Sequence, residues 1–136
     1  MSNPGAMVAE IYAAFGRGDV PSILDRLADD VAWEHWAAWT PHAAGVPWLQ
    51  PRTGRDGARA FFEIVGTWTI VDFQVLDVMV GERQACAQVV IEVRLPNGAA
   101  YRDEEMHLWT FDEAGLVSRF RHYVDTAKQI AAAQAG

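Results

Sequence analysis

With 136 residues, 51% of them hydrophobic and 21% charged, the chain has the size and composition for one substantial core, so a single domain over residues 1–136 is expected. Its formal net charge of −7, without any cluster of Lys or Arg, argues against nucleic acid or an anionic membrane as partner and favours a neutral or cationic small molecule. Apolar runs too short for a membrane span, an amino terminus without a basic-then-apolar pattern and a lone Cys86 predict a soluble, cytoplasmic protein with no internal disulfide and no cysteine-based metal site.

In chain order, Met7, Val8, Ile11, Tyr12 and Phe15 recur at helical spacing, and Gly16-Arg-Gly-Asp19 supplies turn residues after them, which predicts a first amphipathic helix. Asp19 or Ser22 can cap a second helix, with Pro21 in its first turn and Ile23, Leu24 and Leu27 on its inner face, before Asp29-Asp30 turns the chain. A strand is expected at 31–36. Residues 37–54 hold three of the six prolines together with Trp39 and Trp48 and show no clear period; they read as a long loop of the kind that often binds or covers a site. Asp56 is placed to cap a third helix carrying Ala60, Phe61, Ile64 and Val65 at core spacing.

Four strands are expected after Thr69, at 72–80, 84–95, 99–111 and 116–124. Short polar links join them, and Asn97-Gly98 is a strong hairpin signal. The alanine-rich tail after Asp125 favours a last helix. This order predicts an α+β fold with helices packed on one face of a curved sheet.

Three of the four histidines share a pattern: His35, His107 and His122 each lie two positions from a large aromatic residue, Trp33, Trp109 and Phe120. Alternation puts both members of each pair on one face of a strand. Imidazoles that face one cavity could move protons near neutral pH or bind a metal. Asp103, Glu105, His107, Trp109 and Phe111 also alternate together, so Glu105 can orient the His107 ring or raise its basicity. His35 ends its strand before the long loop, where a general base can reach a ligand. For His122 a one-residue slip would turn Arg119, Arg121 and Tyr123 inward instead.

Each of these histidines also has a plainer reading as a buried structural residue, and His42 reads as a solvent-exposed loop residue. The three lack local metal-ligand spacing, so even with Glu105 as a fourth donor no metal is expected. Trp33, Trp39, Trp48 and Trp109, with Tyr12 and Phe120, are candidates for the wall of a pocket suited to a flat apolar ligand, whereas Trp68 reads as ordinary packing. Arg102, Glu104, Arg119 and Arg121 are expected in cross-strand ion pairs on the outer face or in a dimer contact.

The runs Tyr12-Ala-Ala-Phe-Gly-Arg-Gly-Asp19, Leu27-Ala-Asp-Asp-Val-Ala-Trp33, Gly54-Arg-Asp-Gly-Ala-Arg-Ala-Phe-Phe62, His107-Leu-Trp-Thr-Phe111 and Phe120-Arg-His-Tyr-Val-Asp-Thr126 resemble, in this order, the cone-shaped superfamily of ketosteroid isomerases, SnoaL-like polyketide cyclases and nuclear-transport-factor-like proteins. The resemblance covers nearly the whole chain. It implies a cystatin-like α+β roll: a curved, mixed, mostly antiparallel sheet with three helices of the N-terminal half enclosing a deep apolar pocket, often as a homodimer through the outer sheet face.

Ketosteroid isomerases carry a catalytic aspartate on the first strand, an oxyanion-binding tyrosine in the first helix and a protonated aspartate on the strand before last. Counting from Ala28-Asp-Asp30 puts His35 at the first acidic position, and counting back from Phe111-Asp-Glu-Ala-Gly115 puts His107 at the second. The tyrosine position falls on Ile11, with Tyr12 one residue off and rotated by about 100° around the helix. Histidines thus replace the steroid-isomerase acids. SnoaL-like cyclases, similar in the His-x-Trp-x-Phe run and the closing Asp125-Thr126, are the nearest branch. What this implies is a cofactor-independent isomerase, cyclase or lyase acting on a hydrophobic carbonyl compound through histidine acid/base chemistry. The alternative is a non-catalytic domain of the same fold that binds a small ligand or a partner.

Overall fold

The Asn3 side chain accepts a hydrogen bond from the Ala6 amide and so starts α1 (Pro4–Gly16) with one of its free amides satisfied. The structure, a computed structural model, describes residues 3–37 and 45–135; Trp39 and His42 lie outside them. Asp19 caps α2 (Val20–Leu24) through the Ser22 amide and hydroxyl. That helix has five residues, so Leu27 lies beyond it and instead opens β1 (Leu27–His35). The turn expected at Asp29-Asp30 is a register shift within β1, which turns both carboxylates to solvent while Leu27 and Val31 stay buried.

A 3₁₀ turn (Pro47–Leu49) and β2 (Arg52–Thr53) lead into α3 (Gly54–Val65). Asp56 does not cap this helix. The helix begins earlier, after Thr53, with Gly54 at φ 77°, and Asp56 sits in the first turn paired with Arg59. The buried stripe of α3 is also rotated from the expected one: Ala58, Phe62 and Val65 are buried, while Ala60, Phe61 and Ile64 are half-buried.

The four later strands, β3 (Thr69–Val80), β4 (Gln84–Arg94), β5 (Ala100–Phe111) and β6 (Val117–Tyr123), form the expected meander, and α4 (Thr126–Gln134) follows. Gly98 adopts φ 87° in the β4–β5 hairpin, as an Asn-Gly turn requires. The sheet order is β2-β1-β6-β5-β4-β3, antiparallel throughout except where β1 runs parallel to β6. The result is an α+β cone with a curved, open sheet.

Alternation on β5 buries Tyr101, Asp103, Glu105, His107, Trp109 and Phe111 on one face. On β6 it buries Phe120 and His122, so the slip that would have turned Arg119 and Arg121 inward does not occur. Outside, Arg102 pairs with Asp72 and Glu92, and Arg119 with Glu34. The other two expected ion-pair members bond differently: Glu104 accepts from Gln88, and Arg121 donates to the Trp36 carbonyl and lies over the Tyr123 ring. Among the described residues no helix is long and apolar enough to cross a membrane.

Candidate functional site

The pairing register turns the three sequence-distant histidines into neighbours. His35 on β1 is opposite His122 on β6, and His122 is opposite His107 on β5, so the three imidazoles form one row across the sheet. Two residues before His35 and His122 and two after His107, Trp33, Phe120 and Trp109 form a second row. Ring centroids are 4.2 Å apart for Trp33 and Phe120, 4.4 Å for Trp109 and Phe120, and 5.1 Å for His35 and His122.

A cavity of about 650 Å³, mouth included, lies against these rows. Of the expected wall, Tyr12, Trp33, Trp48, Trp109 and Phe120 line it. Trp39 falls outside the described residues. Trp68 both packs edge-on against Trp48, with centroids 4.9 Å apart, and lines the cavity, so it is more than packing. Phe61, Phe62 and Phe73 complete an aromatic lining. The last helix joins the three N-terminal ones in closing the cavity, since α4 contributes Gln129.

The histidines differ in their surroundings. His107 has a partner on each ring nitrogen: the Tyr12 hydroxyl is 2.6 Å from Nδ1 and Glu105 Oε1 is 2.9 Å from Nε2. Ile11 and Tyr12 both line the cavity, so the one-residue offset expected in the first helix does not remove the tyrosine from it. His122 also lines the cavity, but among the described residues neither of its ring nitrogens has a hydrogen-bond partner. Burial, then the neighbouring His107 and His35, holds its pKa well below the usual histidine value, so it is a neutral base.

His35 is buried, does not line the cavity and meets Thr126 Oγ1 through Nε2 at 3.2 Å. Its Nδ1 is buried without a partner among the described residues. Burial, helped by the Arg121 charge, pushes its pKa down to about 4.

The Tyr12 hydroxyl is the junction of this network. Trp109 Nε1 lies 3.2 Å from it and can only donate, so the tyrosine oxygen accepts that bond. The single Tyr12 hydrogen then has two destinations. If His107 Nδ1 is a bare acceptor, Tyr12 donates to it and offers nothing to the cavity. If Nδ1 carries a proton, Tyr12 accepts from His107 too, and its own hydrogen is free for a ligand. Which case holds depends on Glu105. Burial raises the Glu105 pKa, against the opposing pull of His107. A protonated Glu105 donates to Nε2 and leaves the histidine proton on Nδ1.

Besides the lining residues Phe61, Phe62 and Phe73, sequence reasoning overlooked two parts of the polar network. Gln129 sits in an alanine-rich helix with no motif around it. The second is the junction role of Tyr12, which only the packing of α1 on β5 reveals. Among the described residues no group of three or more His, Cys, Asp or Glu is placed to hold a metal ion.

A curved sheet and helices closing over an aromatic, histidine-bearing cavity define the nuclear-transport-factor-like class of α+β cones. Residues 8–120 match the SnoaL-like domain family, and the chain belongs to it. A nuclear-transport-factor-2-like protein of unknown function from Burkholderia pseudomallei is 27% identical, with 98% of this chain and 99% of that one covered and a TM-score of 0.81. TerC, crystallised with polyporic acid, is 19% identical over 98% of this chain and 99% of its own, with a TM-score of 0.78. The epoxide hydrolase/cyclase-like enzyme SalBIII, described for pyran ring formation in the polyether salinomycin, is 16% identical over 92% of each chain, with a TM-score of 0.72. No functionally curated protein matches the sequence. TerC and SalBIII share the fold of this chain.

Proposed function

We propose that the chain is a cofactor-independent enzyme that moves a proton on a hydrophobic carbonyl compound, in an isomerisation, cyclisation or elimination. One observation carries this reading: an apolar cavity holds an imidazole, His122, with no hydrogen-bond partner among the described residues and a pKa held low by burial, together with a tyrosine hydroxyl wired to a histidine and a carboxyl. His122 has the open lone pair and the neutral charge that a general base needs.

In the first step the carbon next to the carbonyl gives its proton to a His122 ring nitrogen. The C–H electron pair becomes the enolate double bond and the carbonyl π pair moves onto oxygen. Tyr12 donates its hydrogen bond to that oxygen, backed by His107 and Glu105, in the manner of an oxyanion site. The enolate then takes the proton back from His122 at another carbon, attacks an electrophilic carbon in the same molecule, or expels a leaving group. Relative to the expectation from sequence, the base role moves from His35 or His107 to His122. His107 and Glu105 become the support for Tyr12, and His35, at the end of the row, lies off the cavity.

The aromatic lining favours a flat substrate with one polar edge. The reading includes a homodimer, supported by β3, the edge strand, which leaves Val71, Leu76 and Val80 at least half exposed. It also includes a cytoplasmic location.

The test uses β-tetralone, a flat enolisable ketone. Exchange of its α protons in deuterated water, followed by NMR, reports proton abstraction without knowledge of the natural substrate. Tryptophan emission reports occupancy of the cavity. Catalysed exchange that is lost in His122→Phe with β-tetralone still bound supports the reading. Binding without any catalysed exchange would favour the non-catalytic alternative.

A further inference from the structure

Gln129 projects from α4 and is 1% exposed. Its Nε2 lies 2.9 Å from Asp103 Oδ2 and 2.8 Å from Glu105 Oε2, so one amide group donates to both carboxylates. Its Oε1 accepts from Trp48 Nε1 at 2.8 Å. The indole can only donate, so the amide cannot turn over and present its oxygen to the carboxylates. With Oε2 held by Gln129, the other Glu105 oxygen is the one that meets His107.

A buried amide is costly unless every polar atom is bonded, and a helix of this composition could dock through an apolar side chain instead. The helix has other anchors as well. Asp125 caps it, the Asp125 amide donates to Asp103, Lys128 Nζ reaches the Arg102 carbonyl and Asn97 donates to the Ala132 carbonyl. Docking of α4 therefore leaves the Gln129 amide unexplained, whereas its contact with Glu105 explains it.

We propose that Gln129 is a positioning residue: by holding Asp103 and Glu105 with its two amide hydrogens it aims Glu105 at His107 and so governs which way the Tyr12 hydroxyl points. The proposal rests on the proton-transfer reading of the cavity, because the direction of that hydroxyl matters only if a ligand oxygen uses it. The groups that face Glu105 are Asp103 and His107 beside it, with Tyr12 on α1 and Tyr101 on β5 acting at longer range. A donated amide hydrogen stabilises the ionised carboxylate. Gln129 thus opposes the upward push of burial on Glu105 and keeps its proton exchangeable with His107.

The experiment is a pH titration of the Glu105 side-chain carboxyl by ¹³C NMR, without ligand, in the wild type, Gln129→Leu and Trp48→Phe. Loss of the amide should move the Glu105 midpoint upward by about one pH unit. Trp48→Phe frees the amide to rotate and should move it the same way by less. The ring ¹⁵N shifts of His107 should report a larger share of the Nδ1–H form in both variants. An unmoved Glu105 midpoint in folded Gln129→Leu overturns the proposal; should that variant fail to fold, an unmoved midpoint in Trp48→Phe does so. Because no substrate is present, this result is independent of turnover. Gln129 can fail while proton transfer stands, and the reverse.

Discussion

His107 and His122 stand side by side on adjacent strands, both buried, and differ in one respect: both nitrogens of His107 are bonded, whereas neither nitrogen of His122 is bonded among the described residues. Burial alone therefore does not tell a structural histidine from an available one. The network around His107 decides the direction of a donor, and the apolar setting of His122 decides its charge. Alternation marked both as inward-facing and set Glu105 beside His107, and the partners on each ring nitrogen separate their roles.

The comparison breaks first at His122. His122→Phe should lower catalysed α-proton exchange by ~10²- to 10⁴-fold, the usual range for a general base. It should leave the thermal midpoint no lower, because no side-chain hydrogen bond among the described residues is lost. Exchange that persists at the wild-type rate would sink the assignment. Tyr12→Phe should reduce exchange by ~10²-fold through loss of an oxyanion donor. Unlike the first variant, it should also destabilise the fold by about 1–3 kcal/mol, because Trp109 Nε1 and His107 Nδ1 lose their shared partner. Urea unfolding alongside the exchange assay separates the two effects.

Acidification sharpens the comparison further. Native His35 stays neutral down to about pH 4, while an unfolded histidine protonates near 6.5. Between these values the unfolded chain binds the extra proton, so stability that is complete above about pH 6.5 is lost as pH falls, by at most about 3 kcal/mol from this residue. His122, lowered in the same direction, adds to the loss. Glu105, with a raised pKa, works oppositely: its contribution is present at low pH and fades as pH rises above about 4.5. Urea unfolding at pH 7 and at about pH 4.5 should show the net loss, and His35→Leu should flatten it. The smallest effect belongs to the outward face of the same strand. Arg102→Ala, at an exposed pair with Asp72 and Glu92, should move neither exchange nor the thermal midpoint measurably.

Much of this was legible from alternation and turn chemistry. The inward face of β5 from Tyr101 to Phe111 and the Asn97-Gly98 hairpin follow from residue types at neighbouring positions, which is the scale at which a sequence speaks. The order of the elements follows too. The histidine row was only half legible. Alternation places each imidazole on a face, but the register that sets His35 against His122 and His122 against His107 is fixed by pairing between distant strands. The same limit explains α3, where the apolar residues allowed two overlapping stripes and packing chose Ala58, Phe62 and Val65. Gln129 carried no signal, because a glutamine among alanines looks like a solvated helix face until its three partners are known.

The parallel pairing of β1 with β6 has a kinetic consequence. It joins residues as far apart as Leu27 and Val117, and it brings His35 and Trp33 beside His122 and Phe120. Such non-local closure is slow to form, because the loop entropy is lost before the contacts repay it. The β4–β5 hairpin, in contrast, can assemble locally. The chain should therefore acquire its meander early and its binding cavity late, so that capture of an apolar ligand during refolding times the closing of the cone.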